Sequence, residues 1–454
     1  MHKLRERILT NYSNNGMGLQ ILMNYKVFRD TYKFLKKSQW WSKELLEKHQ
    51  MQELNKLLNH AFENVPYYTK VFDSLSLKPK DIHSISDLDK IPFLTKDIIK
   101  LNIKNLKAIN YSESRFELLS TGGSTGQPLT FYIEKGVALS KLMAYAKLQM
   151  DWTNRSFFDK CVSITGDDFP FKFQFFGRTL VISSFFINDK YLPIIIKKIQ
   201  KFKPKHILGY PSAITKIAIY MKKNNFEGFP GLETIVCRAE TLNDWQQDFL
   251  KKMFNCHIYN QYGLREYAAL GCTCKHSNYF HMFPEFGIVE LIGKDGKPVT
   301  KEGETGEIVG TGFYTNIFPF IRYRTGDLGV YTLKKCKCGR NYPLLERIEG
   351  RTQEFLVSKT NQLVFLTGAY GLMVKSSLNV KECQLYQDSP GEVVINIVKG
   401  ENYSEIDTKA ILQNFQKKLG DEFLLSIDFV DHIPLTTRGK FKFLIQKLPI
   451  NFAQ

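Results

Sequence analysis

Two groups of residues in this chain have the types and spacing that chemistry requires. The first is Ser120-Thr121-Gly122-Gly123-Ser124-Thr125-Gly126-Gln127-Pro128, where hydroxyl side chains alternate with glycines. Glycines let backbone N–H groups turn toward a phosphate, and the hydroxyls add donors around it. The G-x-x-x-x-G-K-[ST] order of a Walker loop is missing, so this would be a phosphate cradle of another kind. Gly- and Ser-rich runs are commonly flexible surface turns. Here the run lies between the apolar Phe116-Glu117-Leu118-Leu119 and the strand-like Leu129-Thr130-Phe131-Tyr132, which favours a loop held between two elements.

The second group is Cys274, His281, Cys336 and Cys338. Eight cysteines without a recognisable secretion signal read as reduced thiols or metal ligands and not as a disulfide framework. Three thiolates and one imidazole form a closed tetrahedral set, which favours a structural Zn2+ over a catalytic metal with an open position. Gly339 directly after Cys336-Lys337-Cys338 allows the tight turn that a thiolate pair needs. The C-x-C pair is tighter than the common C-x2-C, and Cys272 or His276 could replace Cys274 or His281. The competing reading is that these are ordinary reduced cysteines, a residue type that is commonly buried.

The elements that must position these groups follow from periodicity. Residues 1–110 alternate amphipathic helical patterns, with Asn64-Val65-Pro66-Tyr67-Tyr68 between them and Thr95 placed to cap a following helix. From about residue 160 short β-branched runs, Cys161-Val162-Ser163-Ile164, Thr179-Leu180-Val181-Ile182 and Glu233-Thr234-Ile235-Val236, alternate with helical spacing at Leu192, Ile195, Ile196, Ile199 and at Ile214, Ile217, Ala218, Met221. That alternation implies α/β layers with a largely parallel sheet. After Gly350-Arg351 the pattern becomes a hairpin around Ser389-Pro390-Gly391, a helix carrying Ile411, Phe415 and Leu419, and a strand through Ile427-Asp428-Phe429-Val430. The expected division is a large N-terminal domain over 1–351 and a small α+β domain over 352–454.

Length and composition set the frame for these readings. A chain of 454 residues, 43% apolar and 13% aromatic, can bury one large and one small core. Its apolar runs, such as Leu192-Pro193-Ile194-Ile195-Ile196, are far shorter than the roughly 20 residues of a membrane span, so a cytoplasmic protein is expected, with peripheral membrane contact left open. The net charge of +18 invites a nucleic-acid reading. The basic residues are instead scattered in pairs such as Lys197-Lys198, Lys222-Lys223 and Lys251-Lys252, on segments that read as solvated helix faces, and nucleic acid is not the expected partner.

Further motifs follow the glycine-rich run in a fixed order: Tyr262-Gly263-Leu264-Arg265-Glu266, Thr325-Gly326-Asp327, Gly350-Arg351 and Thr436-Thr437-Arg438-Gly439-Lys440. Together they resemble the phosphate-loop, Y-G-x-x-E, T-G-D, hinge and C-terminal lysine motifs of the adenylate-forming superfamily of acyl-CoA synthetases, peptide-synthetase adenylation domains and luciferases. Within it, Asn64–Tyr68, Cys274–His281 leading into Pro284–Leu291, Phe320–Asp327 and Cys336–Arg340 resemble the phenylacetate-CoA ligase branch, especially its CapK-type members linked to capsular polysaccharide synthesis. The resemblance implies a large multilayer domain with mainly parallel sheets, plus a small mobile α+β lid.

It also implies an activity and a set of roles. A carboxylic acid and ATP would give an acyl-adenylate, whose acyl group passes to a thiol or amine, with coenzyme A and an amino-sugar intermediate as competing acceptors. A catalytically inactive relative serving as an assembly module is the alternative. Ser120, Thr121, Gly122, Gly123, Ser124, Thr125 and Gly126 would cradle the phosphates of ATP. Arg238, Ala239 and Glu240 would cup the adenine, with Tyr262 and Gly263 near the same ring, and Asp327 would bind the ribose. Glu266 would hold Mg2+, and Lys440, with Lys442 and Lys447 close by in sequence, would reach the acyl phosphate. Arg351 and Gln353 fall at the hinge, where relatives often carry Asp or Lys in place of Gln353. Leu129 stands where many relatives have a lysine after the proline. Glu266 and Asp327 are expected at a cleft and not in a core. Gly209-Tyr210-Pro211-Ser212 reads either as a wall of the acid pocket or as a helix cap, and the aromatic stretch Phe169–Phe176 hints at an apolar or aryl acid.

Overall fold

The structure, a computed structural model, describes residues 24–121, 129–351, 355–365, 379–436 and 439–448. It opens on helices α1 (Tyr25–Ser38), α2 (Lys43–Asn64), α3 (Pro66–Ser74) and α4 (Lys96–Asn102). Side-chain caps fix two of their starts: Ser42 Oγ accepts from Leu45 N at 3.4 Å and Thr95 Oγ1 from Ile98 N at 3.3 Å. Pro66 occupies the first turn of α3, where its missing N–H costs nothing. Leu54, Leu58, Tyr68 and Phe72 bury against Phe131, Phe318 and Phe320, so the helices form one side of a core shared with later strands.

Strands β1 (Phe116–Ser120) and β2 (Thr130–Glu134) pair antiparallel, with Ser120 opposite Thr130. The glycine-rich run therefore joins the two arms of a hairpin. Helix α5 (Val137–Trp152) follows.

A twelve-stranded mixed sheet dominates the described residues. Its strands are β3 (Cys161–Thr165), β4 (Phe171–Gln174), β5 (Thr179–Ser183), β6 (His206–Gly209), β7 (Thr234–Arg238), β8 (His257–Gly263), β9 (Leu270–Cys274), β10 (Ser277–Met282), β11 (Gly287–Ile292), β12 (Thr305–Gly312), β13 (Tyr323–Tyr331) and β14 (Leu344–Arg351). They lie in the order β11-β12-β13-β14-β10-β9-β8-β7-β6-β3-β5-β4. The run β5-β3-β6-β7-β8 is parallel, and α6 (Leu192–Phe202), α7 (Pro211–Lys223) and α8 (Asp244–Phe254) return the chain between β5, β6, β7 and β8. Beyond β8 tight connections such as Lys275-His276 replace helices, and the pairing becomes antiparallel. The expected α/β architecture is thus present, with its parallel part confined to the strands that alternate with helices.

The C-terminal part builds its own layer: β15 (Phe355–Val357) with β16 (Leu363–Phe365), then β17 (Val380–Gln387), β18 (Glu392–Lys399), α9 (Glu405–Leu419), β19 (Leu424–Phe429) and β20 (Leu444–Gln446), in sheet order β19-β18-β17-β20. Gly391, at φ +75°, makes the β17–β18 turn. Leu385, Ile395 and Ile397 pack on Ile411 and Phe415 of α9 in a cluster drawn wholly from residues 356–444. Among the described residues no buried apolar cluster joins this small core to the large one, and no helix is long and apolar enough to cross a membrane.

The aromatic stretch Phe169–Phe176 is divided between the two ends of β5. Phe173, Phe175 and Phe176 of the aromatic stretch stand exposed at the tip of the β4–β5 hairpin. That tip is at the start of β5, whereas the end of β5 leads to Ser184, which touches the C-terminal layer. Those three rings therefore point away from that end, whereas Phe171, paired with Ile182, and Pro170, whose carbonyl accepts from Ser183 N, lie beside it. Hydrophobicity identified the residues, but the turn at Gly177 aims the three rings outward.

Candidate active site and metal centre

The T-G-D segment is shaped by a bulge. In the β12–β13 ladder Val309 faces Arg324 and Glu307 faces Leu328, so Thr325-Gly326-Asp327 stand opposite Ile308 alone. Each residue has a part in holding that shape. Thr325 Oγ1 donates to Ile308 O at 2.7 Å and accepts from Asp327 N at 3.0 Å. Gly326 adopts φ +76°, and its N–H donates to Glu307 Oε1 at 3.0 Å. The strand is anchored from behind by Arg322, whose guanidinium meets Glu290 at 2.9 Å and the carbonyl of Ile91 at 2.7 Å. Leu94, just before α4, bonds across to Arg322 and Arg324, which ties the helical region to the motif.

Asp327 Oδ2 accepts from the Tyr262 hydroxyl at 2.9 Å, joining the end of β8 to β13. Glu266, in the turn after β8, accepts from the Tyr323 hydroxyl at 2.9 Å. The next residue, Tyr267, holds φ +58°, a left-handed conformation that a bulky side chain rarely adopts and that fixes where the Glu266 carboxylate sits. Glu266 and Asp327 are only 6% and 7% exposed. Their carboxylates are compatible with that burial because a tyrosine hydroxyl answers each. Sequence reading missed Tyr323; its position between Arg322 and Arg324, two residues before the T-G-D, was the available signal.

The rim continues along β7. Arg238 pairs in register with Gln261, and Ala239 beyond it adopts φ +67°. The Lys440 ammonium donates to the Ala239 carbonyl at 3.0 Å. Glu240 accepts from Ser212 N at 3.1 Å and from Phe441 N at 3.0 Å. Burial pushes the Glu240 carboxyl above its ordinary value, while those two amides and the Lys440 ammonium pull the other way. Burial likewise lowers the Arg238 guanidinium. Gly439 packs so closely that a Cβ would meet Ser184 Oγ at 2.2 Å, and Ser184 Oγ donates to its carbonyl at 2.6 Å.

Other contacts between the two layers are polar and partly exposed, including Lys216–Glu382 at 2.5 Å and Lys381–Asp189 at 2.8 Å. Of the three neighbouring lysines, Lys440 is the one placed on the β7 rim; Lys442 and Lys447 make backbone bonds to Gln384 and Gln387 of β17. Pro211 opens α7 as the helix-cap reading required, and Tyr210 lies 6.0 Å from the Lys440 ammonium.

Ser120 ends β1, and Thr121 closes the base of the phosphate loop: its N–H donates to Leu129 O at 2.8 Å and its hydroxyl accepts from Leu129 N at 2.9 Å. Gly122, Gly123, Ser124, Thr125, Gly126 and Gln353 lie outside the described residues. Gly263 closes β8, and Arg351 closes β14 in register with Asp327.

The cysteine and histidine group is brought together as a set. One ligand atom from each of Cys274, His281, Cys336 and Cys338 lies within 4.8 Å of all the others. Cys274 Sγ is 3.5 Å from Cys336 Sγ, and His281 Nε2 is 3.2 Å from Cys338 Sγ. His281 Nδ1 sits 3.2 Å from the Tyr279 carbonyl, which places the ring proton there and turns the Nε2 lone pair into the cluster. Burial raises Cys274 to about 11. Burial would also raise Cys336, but hydrogen bonds, led by the one from Ser277, outweigh it and bring that thiol below its ordinary value. Of the two alternates, Cys272 is packed into the main apolar core, and His276 gives its backbone N–H to Cys274 at 3.4 Å. The set spans β9, β10 and the loop before β14, whose Arg340 stacks on Trp40 and Trp152.

Comparison with known proteins agrees with this geometry. Residues 112–315 match the family described as AMP-binding enzyme, and residues 356–447 match the CapK C-terminal domain. The chain is 28% identical to Protein CapK of Staphylococcus aureus over 422 residues, 88% of this chain and 89% of that protein. It is 25% identical to a phenylacetate-coenzyme A ligase of Thermus thermophilus over 331 residues, 69% and 72% of the two chains. Among solved structures, 2-hydroxyisobutyryl-CoA ligase in the postadenylation state shares the fold at a TM-score of 0.72, with 16% identity over 90% of this chain and 93% of that one.

Proposed function

Because the chain belongs to the adenylate-forming superfamily, in its phenylacetate-CoA ligase branch and of the CapK type, we propose that it activates a carboxylic acid with ATP and passes the acyl group to a thiol or amine. The observation that carries the reading is the docking of Lys440 on Ala239, on a rim that runs through Arg238 and Gln261 to Tyr262 and Asp327. In the first step a carboxylate oxygen attacks the α-phosphorus, a P–O bond forms, and the bond to pyrophosphate breaks. Two anions must meet for this, so a positioned cation and aimed donors lower the barrier.

Lys440 supplies that cation on the acyl-phosphate side. Asp327, oriented by Tyr262, binds the ribose hydroxyls, while the segment Arg238-Ala239-Glu240 flanks the base. Glu266 is the residue that would hold Mg2+, a hard cation suited to carboxylate oxygen, which when bound neutralises phosphate charge. In the second step the acceptor sulfur or nitrogen attacks the acyl carbon and AMP leaves. The separate small core and its polar seam support a lid that withdraws Lys440 between the steps, with the pivot near Arg351. The CoA ligases among the relatives support coenzyme A as the thiol, and the likeness to Protein CapK keeps an amine on a sugar intermediate as the competing acceptor.

Pyrophosphate release measured over a panel of carboxylic acids tests the reading, with coenzyme A and an amino sugar then compared as acceptors. Release with at least one acid is expected. No release with any acid would leave the assembly-module alternative.

Cys274, His281, Cys336 and Cys338 are assigned one structural Zn2+. The donor chemistry fits: thiolates and an imidazole are the ligands zinc prefers, and the tautomer of His281 aims a lone pair inward. Such an ion would pin the β9–β10 turn, eight residues after Glu266, to the loop that follows β13 and its Asp327. Elemental analysis of protein prepared without chelator or affinity metal should return about one zinc per chain; a metal-free, equally stable chain would remove the assignment.

A further inference from the structure

The exposed rings of the aromatic stretch need an explanation of their own. At the tip of the β4–β5 hairpin Phe175 and Phe176 both take positive φ, +49° and +54°, ahead of Gly177 at +76°. Consecutive left-handed residues in a tight hairpin call for Asn or Gly, and bulky rings there are unfavourable. Such outliers persist where the side chains serve a purpose at that point.

The rings gain no burial from the arrangement. Phe176 is 56% exposed, Phe173 in the edge strand 53%, and Phe158 in the adjoining loop 70%. The loop and the hairpin are fastened together, since Arg178 Nη1 donates to Phe158 O at 2.5 Å and Cys161 N to Arg178 O at 2.9 Å. The patch is thus a prepared surface and not a frayed end.

Its surround is cationic. Lys198 of α6 lies 3.9 Å from the Phe171 ring and 5.8 Å from Phe173, Lys172 lies 4.0 Å from Phe169, and Lys160 lies 5.5 Å from Phe202. From Phe169 to Lys203 the only acidic residue is Asp189, which is committed to Lys381; of the acidic residues that flank the patch, Asp167 and Asp168 precede Phe169 and Asp159, after Phe158, is committed to Lys205 and His206. Exposed rings beside lysine ammonium groups held against neighbouring ring faces are what an interface between apolar chains and anionic headgroups accommodates.

We propose that the β4–β5 hairpin and the Phe157–Phe158 loop form a docking surface for anionic membrane lipid, holding the chain peripherally at a bilayer. A protein partner would leave the positive field without a stated counterpart, whereas an anionic leaflet matches both the rings and the charge. The inference is independent of the ligase reading, because the exposed rings of the tip, Phe175 and Phe176, precede the start of β5, and Ser184, which meets Gly439, follows its end.

Cosedimentation of the full chain with phosphatidylcholine vesicles, with and without phosphatidylglycerol, tests it. Binding to the phosphatidylglycerol vesicles alone is expected. F158S combined with F176S should abolish it, and K172Q or K198Q should each weaken it about fivefold. Sedimentation velocity of the same proteins without lipid checks folding and association. Equal binding by the double variant, or no binding by the parent chain, would overturn the proposal. So would a lipid-independent dimer that the double variant dissociates, since the surface would then join two copies.

Discussion

The nucleotide rim and the cysteine–histidine cluster sit on neighbouring strands of one sheet and are held in opposite ways. At the rim Glu266, Asp327 and Glu240 are each engaged by hydroxyl or amide donors at 2.9–3.1 Å, and the Lys440 ammonium arrives from a separate layer to meet the Ala239 carbonyl at 3.0 Å. At the cluster four ligand atoms converge within 4.8 Å from three segments of the same layer. The proposed lid would separate the parts of the rim between steps, and a seam of exchangeable contacts suits it, because partly exposed ion pairs such as Lys216–Glu382 contribute only about 0–1 kcal/mol. The metal proposed for the cluster would close it with four bonds within one layer. Catalysis should therefore be sensitive to substitution at the rim while stability is not, with the reverse at the cluster.

The largest expected effects break the rim. Glu266→Gln and Asp327→Ala should each lower adenylate formation by about 10²–10³, with thermal unfolding near that of the parent chain. Lys440→Ala should slow adenylation by a similar factor of about 10²–10³ while transfer from a supplied acyl-adenylate is little changed. Equal loss in both half-reactions would place Lys440 at the site throughout and contradict a withdrawing lid.

The cluster sharpens the contrast from the other side. Cys338→Ser should release zinc and lower Tm by several degrees, since about 1 kcal/mol corresponds to roughly 2–4 °C in a large domain. Adenylation per folded molecule should fall much less than in the rim variants. A Tm equal to that of the parent chain would show that the four groups do not close a site.

Smaller effects probe how the rim is tuned. Tyr262→Phe removes the hydroxyl that orients Asp327, and a single such hydrogen bond, about 0.5–1.5 kcal/mol, corresponds to tenfold or less in the first half-reaction. The smallest effect is on pH. Burial raises the Glu240 carboxyl above its ordinary value of 4.5, so the folded chain holds that proton more tightly than the unfolded one. Its contribution to stability is then complete below the unfolded value and declines as pH rises through the folded one. Glu240→Gln should remove that part of the slope in an acid unfolding series.

Much of this was legible in the sequence for physical reasons. Thr325-Gly326-Asp327 has one residue for each demand of a bulge: a hydroxyl to close it, a glycine for the positive φ, and a carboxylate to project. The cluster was legible because four ligands were placed on two short segments, and only geometry was needed to choose Cys274 over Cys272. What stayed hidden depends on direction. Alternation of β-branched runs with helices implied a parallel sheet, yet carried no sign that β9 to β14 would add an antiparallel half. Tyr323 looked like one more core aromatic, and its hydroxyl meets Glu266 only through the fold. The rings of Phe173 and Phe176 suggested a pocket because hydrophobicity does not say which way a hairpin tip points.

The most direct test is a single turnover with ATP and an acid that supports pyrophosphate release, quenched before any acceptor is added and read by mass spectrometry. An acyl-adenylate formed in step with pyrophosphate, present for the parent chain and nearly absent for Lys440→Ala, is the predicted result. ATP consumed without an acyl-adenylate, or the same yield of acyl-adenylate at the same rate from Lys440→Ala, would contradict it.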